Sequence, residues 1–278
     1  MAKVLTGTDR ELGTDVSRYQ GFAKWDVFKS VGVLFAGIRS TISWGYQDPT
    51  FPHNWIESKR VAIPRTPYHV IYPKQDPLRQ MDNLYKVCPD KPDLPRALDL
   101  ELAGDGAGDK VPASPSQQAA TLWKCAEIVK QRDGEYPIIY TRYILVNQWL
   151  ASWTTDMLNQ VWWWLAQYPQ LGRLQKPFEH PGPPTLPNRV RADRVIVHQT
   201  SDRMAPFPGS VSPYDTKTLD RNRWVNPLPL ADFLAVRGAD KPAPAPVPVP
   251  PAAPGLGWKE SIDAWARTVN PPYTGQKP

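Results

Sequence analysis

The chain lacks the long apolar runs that membrane proteins and secretory leaders carry. None of its 278 residues belongs to a stretch that approaches the ~20 apolar residues of a membrane span. The opening segment, MAKVLTGTDRELGTDVS, also lacks the apolar core, roughly 7–15 residues long, of a signal peptide. We therefore expect a protein made in the cytoplasm without a signal peptide and with no membrane partner.

Cysteine and histidine are scarce. Cys88 and Cys125 are too few for a disulfide framework, and two buried thiols are favoured over a single bridge. The four histidines lie far apart in the sequence, so none of them forms a metal-ligand spacing. No glycine-rich phosphate loop and no serine or cysteine nucleophile motif stands out. The sequence predicts neither a metal nor another cofactor.

The charge balance is basic, with a formal net charge of +6. A basic protein favours an anionic partner, such as nucleic acid or an anionic bacterial cell wall. The lysines and arginines are scattered among acids and form no dense arm, so we expect no nucleic-acid partner. A generally basic soluble surface is the default interpretation.

The composition changes sharply at residues 241–254, KPAPAPVPVPPAAP, where prolines alternate with small residues. Such a segment favours a stiff polyproline II spacer. Residues 1–240 then form one domain, and residues 255–278 form a short tail with a possible amphipathic helix. That tail is either a docking element for a cell-wall polymer or virion protein, or a helix that packs back on the domain.

Short apolar runs alternate with helical patterns through the first domain, which predicts parallel β/α units. The clearest helix is 115–132, where Ser114 and Gln117 offer a capping box and Pro115 stands first. The pattern predicts an α/β fold, a modified TIM-like barrel with helices around the first five strands and loops in the last third. The candidate strands are 13–17, 33–39, 67–72, 95–100, 137–141, 161–166, 195–199 and one ending near Leu219.

Two carboxylates, Asp99 and Glu101, follow the apolar run in PRALDLE. Residues two apart in a strand point to the same face, so both acids project together at the strand's end. In a β/α barrel the active site lies at the carboxyl ends of the strands. Asp15 and Asp220 stand near other strand ends and add two acids to this mouth. Solvated acids at strand-to-loop junctions are the alternative.

Aromatic and amide residues also follow strands. Tyr168 and Gln199 come at the ends of the sixth and seventh candidate strands, and Trp44 and Tyr46 lie in a strand-end loop. Aromatic faces there can stack on sugar rings, or they can serve packing alone. Trp162, Trp163 and Trp164 share one strand and must alternate between its two faces, so one or two of them at most can face the barrel mouth.

Six segments in order, TDVSRYQG, PRALDLE, YPIIYT, WWWLAQY, VIVHQTSD and KTLDRNRW, carry a family resemblance. Over residues 11–235 the chain resembles glycoside hydrolase family 25, the muramidases of fungal, bacterial and phage type. The resemblance implies a barrel of eight strands with helices around its first part. Ile42-Ser43-Trp44 departs from the Thr-Glu-Gly type sequence of many members, and Val70-Ile71 stands where phenylalanine is usual.

The resemblance implies roles for five residues. Glu101 matches the general acid/base, Asp99 its partner carboxylate, and Asp15 and Asp220 the flanking acids. Tyr140 matches a tyrosine expected near the substrate's acetamido group. Crowded carboxylates raise one another's pKa, so Glu101 could stay protonated and donate to the leaving sugar oxygen while Asp99 remains anionic. Asp99 would then stabilise the oxocarbenium-like state or orient the N-acetyl group as an internal nucleophile.

These features predict a peptidoglycan N-acetylmuramidase, a lysozyme that hydrolyses the β-1,4 bond between N-acetylmuramic acid and N-acetylglucosamine. A phage lysin or a virion-associated wall-degrading enzyme fits this prediction best, acting on the wall after its release. Two alternatives stay open at this point: a barrel that binds wall glycan without cleaving it, and a glycosidase that acts on chitin-like polymers.

Overall fold

The computed structural model describes residues 11–102, 111–168, 184–207, 209–211 and 218–238. The predicted spacer at 241–254 and the tail at 255–278 lie outside these residues, as does most of the loop 169–193. The described strands are β1 (Leu12–Val16), β2 (Val33–Ile42), β3 (Tyr46–Gln47), β4 (Arg65–Val70), β5 (Ala97–Asp99), β6 (Ile138–Arg142), β7 (Trp162–Ala166), β8 (Val195–Met204) and β9 (Leu219–Trp224).

Eight of these strands close a barrel in the order β1, β2, β4, β5, β6, β7, β8, β9, with β1 paired to both β2 and β9. The β3 strand forms a short hairpin with β2 at the edge of the barrel. Strands β1 to β8 of the barrel run parallel, whereas β9 is antiparallel to both β8 and β1. The predicted α/β barrel is confirmed.

The helices follow the first five barrel strands, as predicted. They are α1 (Trp25–Ser30), α2 (Phe51–Arg60), α3 (Pro77–Val87), α4 (Pro115–Asp133), α5 (Tyr143–Trp149) and α6 (Thr155–Gln160), and α7 (Leu230–Val236) comes after the last strand. In α4 the Ser114 hydroxyl accepts from the Gln117 N–H at 3.2 Å, and Gly134 ends the helix at φ 80°. Among the described residues no helix combines the length and apolar character that a membrane crossing requires.

Two apolar layers hold the barrel together. Outside, helix side chains such as Leu122 and Val129 pack on outward-facing strand residues such as Ile139 and Trp163, all of them buried. Inside, the end opposite the mouth is closed by α7, whose Phe233 ring lies 5.1 Å from those of Trp162 and Trp224. Because the interior below the mouth is filled with rings, the inward-facing polar side chains of the strands gather at the open end.

One strand prediction was wrong. The last strand begins at Leu219 instead of ending near it, and it runs in the opposite direction to the others. Its first residues therefore lie at the mouth, where the other strands end.

Cys88 and Cys125 are both free and buried, which agrees with the preferred expectation.

Candidate active site

The four acids predicted from the strand ends converge at the barrel mouth. Asp15 lies near the end of β1, directly opposite Asp220 on β9 in the strand register. Asp99 is the last residue of β5, and Glu101 follows it by two positions. Burial, and then the like charges of neighbouring carboxyls, raise the pKa of Asp99, of Glu101 and of Asp220.

Asp15 is the best-supported anion of the group. Its Oδ2 accepts two hydrogen bonds, from Gln199 Nε2 at 2.9 Å and from Asn222 Nδ2 at 2.7 Å. Burial raises the pKa of Asp15, whereas these amide donors, the bond shared with Asp220 and the charge of Arg39 lower it. The donors therefore offset part of the cost of burying this charge.

Asp220 is the carboxyl that pairs with Asp15 across the two strands. Burial raises its pKa well above the usual range, and the Asp15 carboxylate, which shares a side-chain hydrogen bond with it, raises it further. Two carboxyl groups can share a hydrogen bond only when one of them carries a proton. The raised pKa of Asp220 therefore disfavours a doubly ionised pair.

Asp99 and Glu101 lie in different environments. Asp99 is 4% exposed, and its Oδ1 has no hydrogen-bond partner among the described residues. Burial, and then the charges of Glu101 and Asp15, raise the pKa of Asp99 well above the usual range. The Glu101 residue is exposed to solvent at the rim. Protein atoms around its carboxyl nevertheless remove part of the water from that group, and this desolvation, followed by the Asp15 charge, raises its pKa. The free site therefore opposes an anionic Asp99, contrary to the sequence-based expectation.

A buried ion pair stands beside the acids. The Arg39 Nε on β2 contacts Asp48 Oδ2 at 2.7 Å, and both side chains are almost fully enclosed. Asp48 Oδ2 also accepts from the Arg18 N–H at 3.0 Å. The Arg39 charge lowers the pKa of Asp15, Asp99 and Glu101, and its Nη2 is buried without a hydrogen-bond partner in the described part of the chain.

The predicted aromatic residues fall into two groups. The hydroxyls of Tyr140 and Tyr168 both donate to Gln199 Oε1, at 2.7 and 2.6 Å, and so belong to the carboxylate network. Trp44 lies in the β2–β3 turn, is 49% exposed and has the Arg79 guanidinium 4.4 Å from the centre of its ring. One face of the Trp44 ring is therefore covered by this cation.

The hairpin that carries Trp44 and Tyr46 is fixed to α3. Ser43 adopts a left-handed backbone at φ 50°, which is uncommon outside glycine. The Asn83 side chain donates to the carbonyls of Ser43 and Tyr46 at 2.9 and 3.0 Å. Tyr46 lies half-buried, with its ring centre 5.9 Å from the guanidinium carbon of Arg39.

Sequence reasoning missed Asn222, which donates to Asp15, and Arg39, whose charge acts on the acids. Asn222 follows Asp220 by two positions, so the spacing rule that paired Asp99 with Glu101 would have placed it on the same face. Trp164 donates from its indole N–H to Asn222 Oδ1 at 2.8 Å. The direction of the Trp162–Trp164 alternation, with Trp162 and Trp164 inward, could not be deduced from the alternation alone.

The sequence matches to known proteins fall within the barrel. The model of glycosyl hydrolases family 25 matches residues 14–183. Escherichia coli O6:H1 protein YegX is 30% identical over 164 residues, 57% of this chain and 56% of that protein. Lysozyme M1 of Streptomyces globisporus is 27% identical over 156 residues, 54% of this chain and 53% of that protein. The match thus spans little more than half the length of these curated relatives.

Among solved structures, the bacterial lysozyme from Streptomyces coelicolor superposes with a TM-score of 0.66 at 26% sequence identity. The alignment covers 83% of this chain and 98% of that one. The similarity therefore extends over the whole barrel and includes β9, which lies beyond the segment matched by the family model.

Proposed function

This chain belongs to glycosyl hydrolases family 25, and we propose that it is a lysozyme-type N-acetylmuramidase acting on bacterial peptidoglycan. The bond cleaved is the β-1,4 linkage between N-acetylmuramic acid and N-acetylglucosamine. The observation that carries the proposal is the pair at the end of β5, the exposed Glu101 beside the buried Asp99. Paired carboxyls in unlike environments are what glycosidic cleavage requires.

In the first step Glu101 donates its proton to the glycosidic oxygen as the bond from that oxygen to the sugar C1 breaks. Its raised pKa supports the protonated form, and its exposure at the rim leaves it open to a polymer. In the second step the Glu101 carboxylate takes a proton from the attacking water. The water oxygen bonds to C1 as the bond that C1 formed to the acetamido oxygen in the first step breaks, and Glu101 is again protonated.

Asp99 is proposed to accept a hydrogen bond from the substrate's acetamido N–H. Its buried Oδ1 has no partner among the described residues, and an acetamido group would supply the missing donor. A donor of this kind favours the ionised form, so substrate binding counteracts the burial that raises the pKa of Asp99. This favours the substrate-assisted route, in which the acetamido oxygen attacks C1, over direct attack by Asp99.

The test compares wild type with Glu101→Gln in the clearing of purified cell walls. Loss of a general acid costs about 10²–10⁴-fold, so we expect clearing to slow by that factor. Glu127→Gln, an exposed substitution on α4, is the matched control and should clear walls as wild type does. Equal clearing by Glu101→Gln would contradict its role. Binding without clearing by wild type would favour a glycan-binding barrel.

Product analysis tests the bond and the route. Mass analysis of the new reducing ends should find muramic acid, and glucosamine ends would contradict the proposal. The substrate-assisted route predicts a product that retains the β configuration and no covalent adduct on Asp99. Inversion would exclude this route, and a sugar adduct on Asp99 would identify direct attack.

We also propose that the chain acts as a phage lysin or as a virion component, reaching the wall after release. The support is the sequence pattern, a wall-hydrolase barrel followed by a proline-rich spacer and a short aromatic tail. Deleting residues 241–278 should weaken binding to purified walls or to virions while the isolated barrel keeps its unfolding profile. Unchanged binding to both would exclude the tail as a docking element.

A further inference from the structure

The chemistry of one indole group fixes the orientation of Asn222. The Trp164 indole nitrogen can donate a hydrogen bond and cannot accept one. It lies 2.8 Å from Asn222 Oδ1, so the other end of the amide, Nδ2, must face Asp15 Oδ2 at 2.7 Å. Asn222 is buried, and water does not compete for these positions. Asp15 therefore accepts a hydrogen bond from an N–H group whose orientation the Trp164 indole fixes.

Gln199 supplies a second donor to the same oxygen. Its Oε1 accepts from the hydroxyls of Tyr140 and Tyr168, and its Nε2 donates to Asp15 Oδ2 at 2.9 Å. Reversing this amide would set its oxygen against the carboxylate and would lose the bond to Asp15. Two buried amides thus converge on one carboxylate oxygen.

Asp220 faces Asp15 from the antiparallel strand β9. The two residues are direct partners in the register, so their carboxyls are close neighbours. Two neighbouring carboxyls disfavour a second negative charge, so such a pair tends to hold one proton between its two groups. Because Oδ2 of Asp15 already accepts from two amide donors, the anion is more stable on Asp15 and the proton is more stable on Asp220.

We propose that Asn222 and Gln199 are positioning residues that keep Asp15 ionised and leave the single proton of the Asp15–Asp220 pair on Asp220. This proton assignment does not rest on the proposed function. The titratable and charged groups that face the pair are Arg39 on β2, Tyr68 on β4, Asp99 and Glu101 at β5, Tyr140 on β6, Tyr168 after β7 and Asp202 on β8.

The test is a carboxyl ¹³C NMR titration of the full chain labelled at aspartate. In wild type we expect Asp15 to be ionised and Asp220 protonated near neutral pH. Asn222→Asp keeps an oxygen that accepts from the Trp164 indole but removes the N–H group that donates to Asp15. The pH at which Asp15 titrates should therefore rise by about one unit or more. Gln199→Glu should move it in the same direction. Gln131→Glu, an exposed substitution on α4 with the same charge change, should leave it unchanged.

Two outcomes would overturn the proposal. They are a protonated Asp15 beside an ionised Asp220 in wild type, and an Asp15 titration that is unchanged in both amide variants. Should Asn222→Asp fail to fold, the wild-type assignment and Gln199→Glu still decide. Absence of wall lysis by wild type would refute the proposed function alone, because the NMR titration needs no activity.

Discussion

Replacing Asp99 by asparagine should stabilise the protein near neutral pH. Asp99 is 4% exposed, its Oδ1 has no partner among the described residues, and burial, then Glu101 and Asp15, raise its pKa well above the usual range. In the unfolded chain the same carboxyl titrates near ~3.9. The folded state thus holds a proton that the unfolded state releases, and this difference makes the free energy of unfolding depend on pH.

The direction in which the free energy of unfolding changes with pH follows from that difference in bound protons. Where the folded state binds more protons than the unfolded state, the free energy of unfolding falls as the pH rises. Each pH unit between the two pKa values of Asp99 costs wild type about 1.4 kcal/mol. Asparagine does not titrate, so the variant should be more stable than wild type by a margin that starts near zero at about pH 4. The margin then grows by up to about 1.4 kcal/mol per pH unit.

The assay is urea unfolding of wild type and Asp99→Asn at intervals from about pH 4 to pH 8. Asp90→Asn, which removes an exposed carboxyl, is the matched control and should show no growing margin. Wall clearing by the same preparations should fall about 10²–10³-fold in Asp99→Asn, the usual loss when one electrostatic stabiliser is removed. Gain of stability with loss of activity is the pattern expected of a residue kept for function.

A stability margin that stays constant with pH would refute this reasoning, because it would mean that burial does not penalise the ionised Asp99. Unimpaired wall clearing by Asp99→Asn would remove the residue from the proposed chemistry even if the margin grows. The two measurements therefore separate the electrostatic argument from the functional one.

Two further substitutions test the support and the rim of the site. In Gly37→Ala the new Cβ would lie 2.5 Å from Trp164 Cη2, so the ring must shift, and urea unfolding should show a loss of about 1–3 kcal/mol. An unchanged stability would mean that the ring moves freely. Trp44→Ala should weaken sedimentation with purified walls while the free energy of unfolding changes by no more than about 0.5 kcal/mol, and unchanged sedimentation would exclude the ring as a glycan contact.

Much of the fold could be predicted because burial imposes periodicity on the sequence. The runs around Phe35, Leu98 and Ile139 are apolar since both faces of those strands are covered, and the cap at Ser114 is a local signal. The direction of β9 was missed because alternation along Leu219–Trp224 is the same whichever way the strand runs. The β3 strand, with two residues, is too short to leave a pattern.

The four acids of the candidate site could be predicted from the sequence, whereas the buried amide of Asn222 and the cation of Arg39 were missed. Asp15, Asp99, Glu101 and Asp220 stand out because an acid beside an apolar run is unusual. Asn222 carries no charge, and its importance depends on contacts with residues 58 and 207 positions away in the chain. Such long-range contacts exist only once the barrel has closed.

Neutral donors decide how the site distributes its protons. The Arg39 cation is shared with Asp48, so it cannot neutralise four further carboxyls by itself. Asp15 receives two amide N–H donors and becomes the anion, whereas Asp99 has an oxygen without a donor and resists ionisation. A ligand that donates a hydrogen bond to that oxygen would favour the ionised form, so we expect the ionisation of Asp99 to depend on the bound substrate.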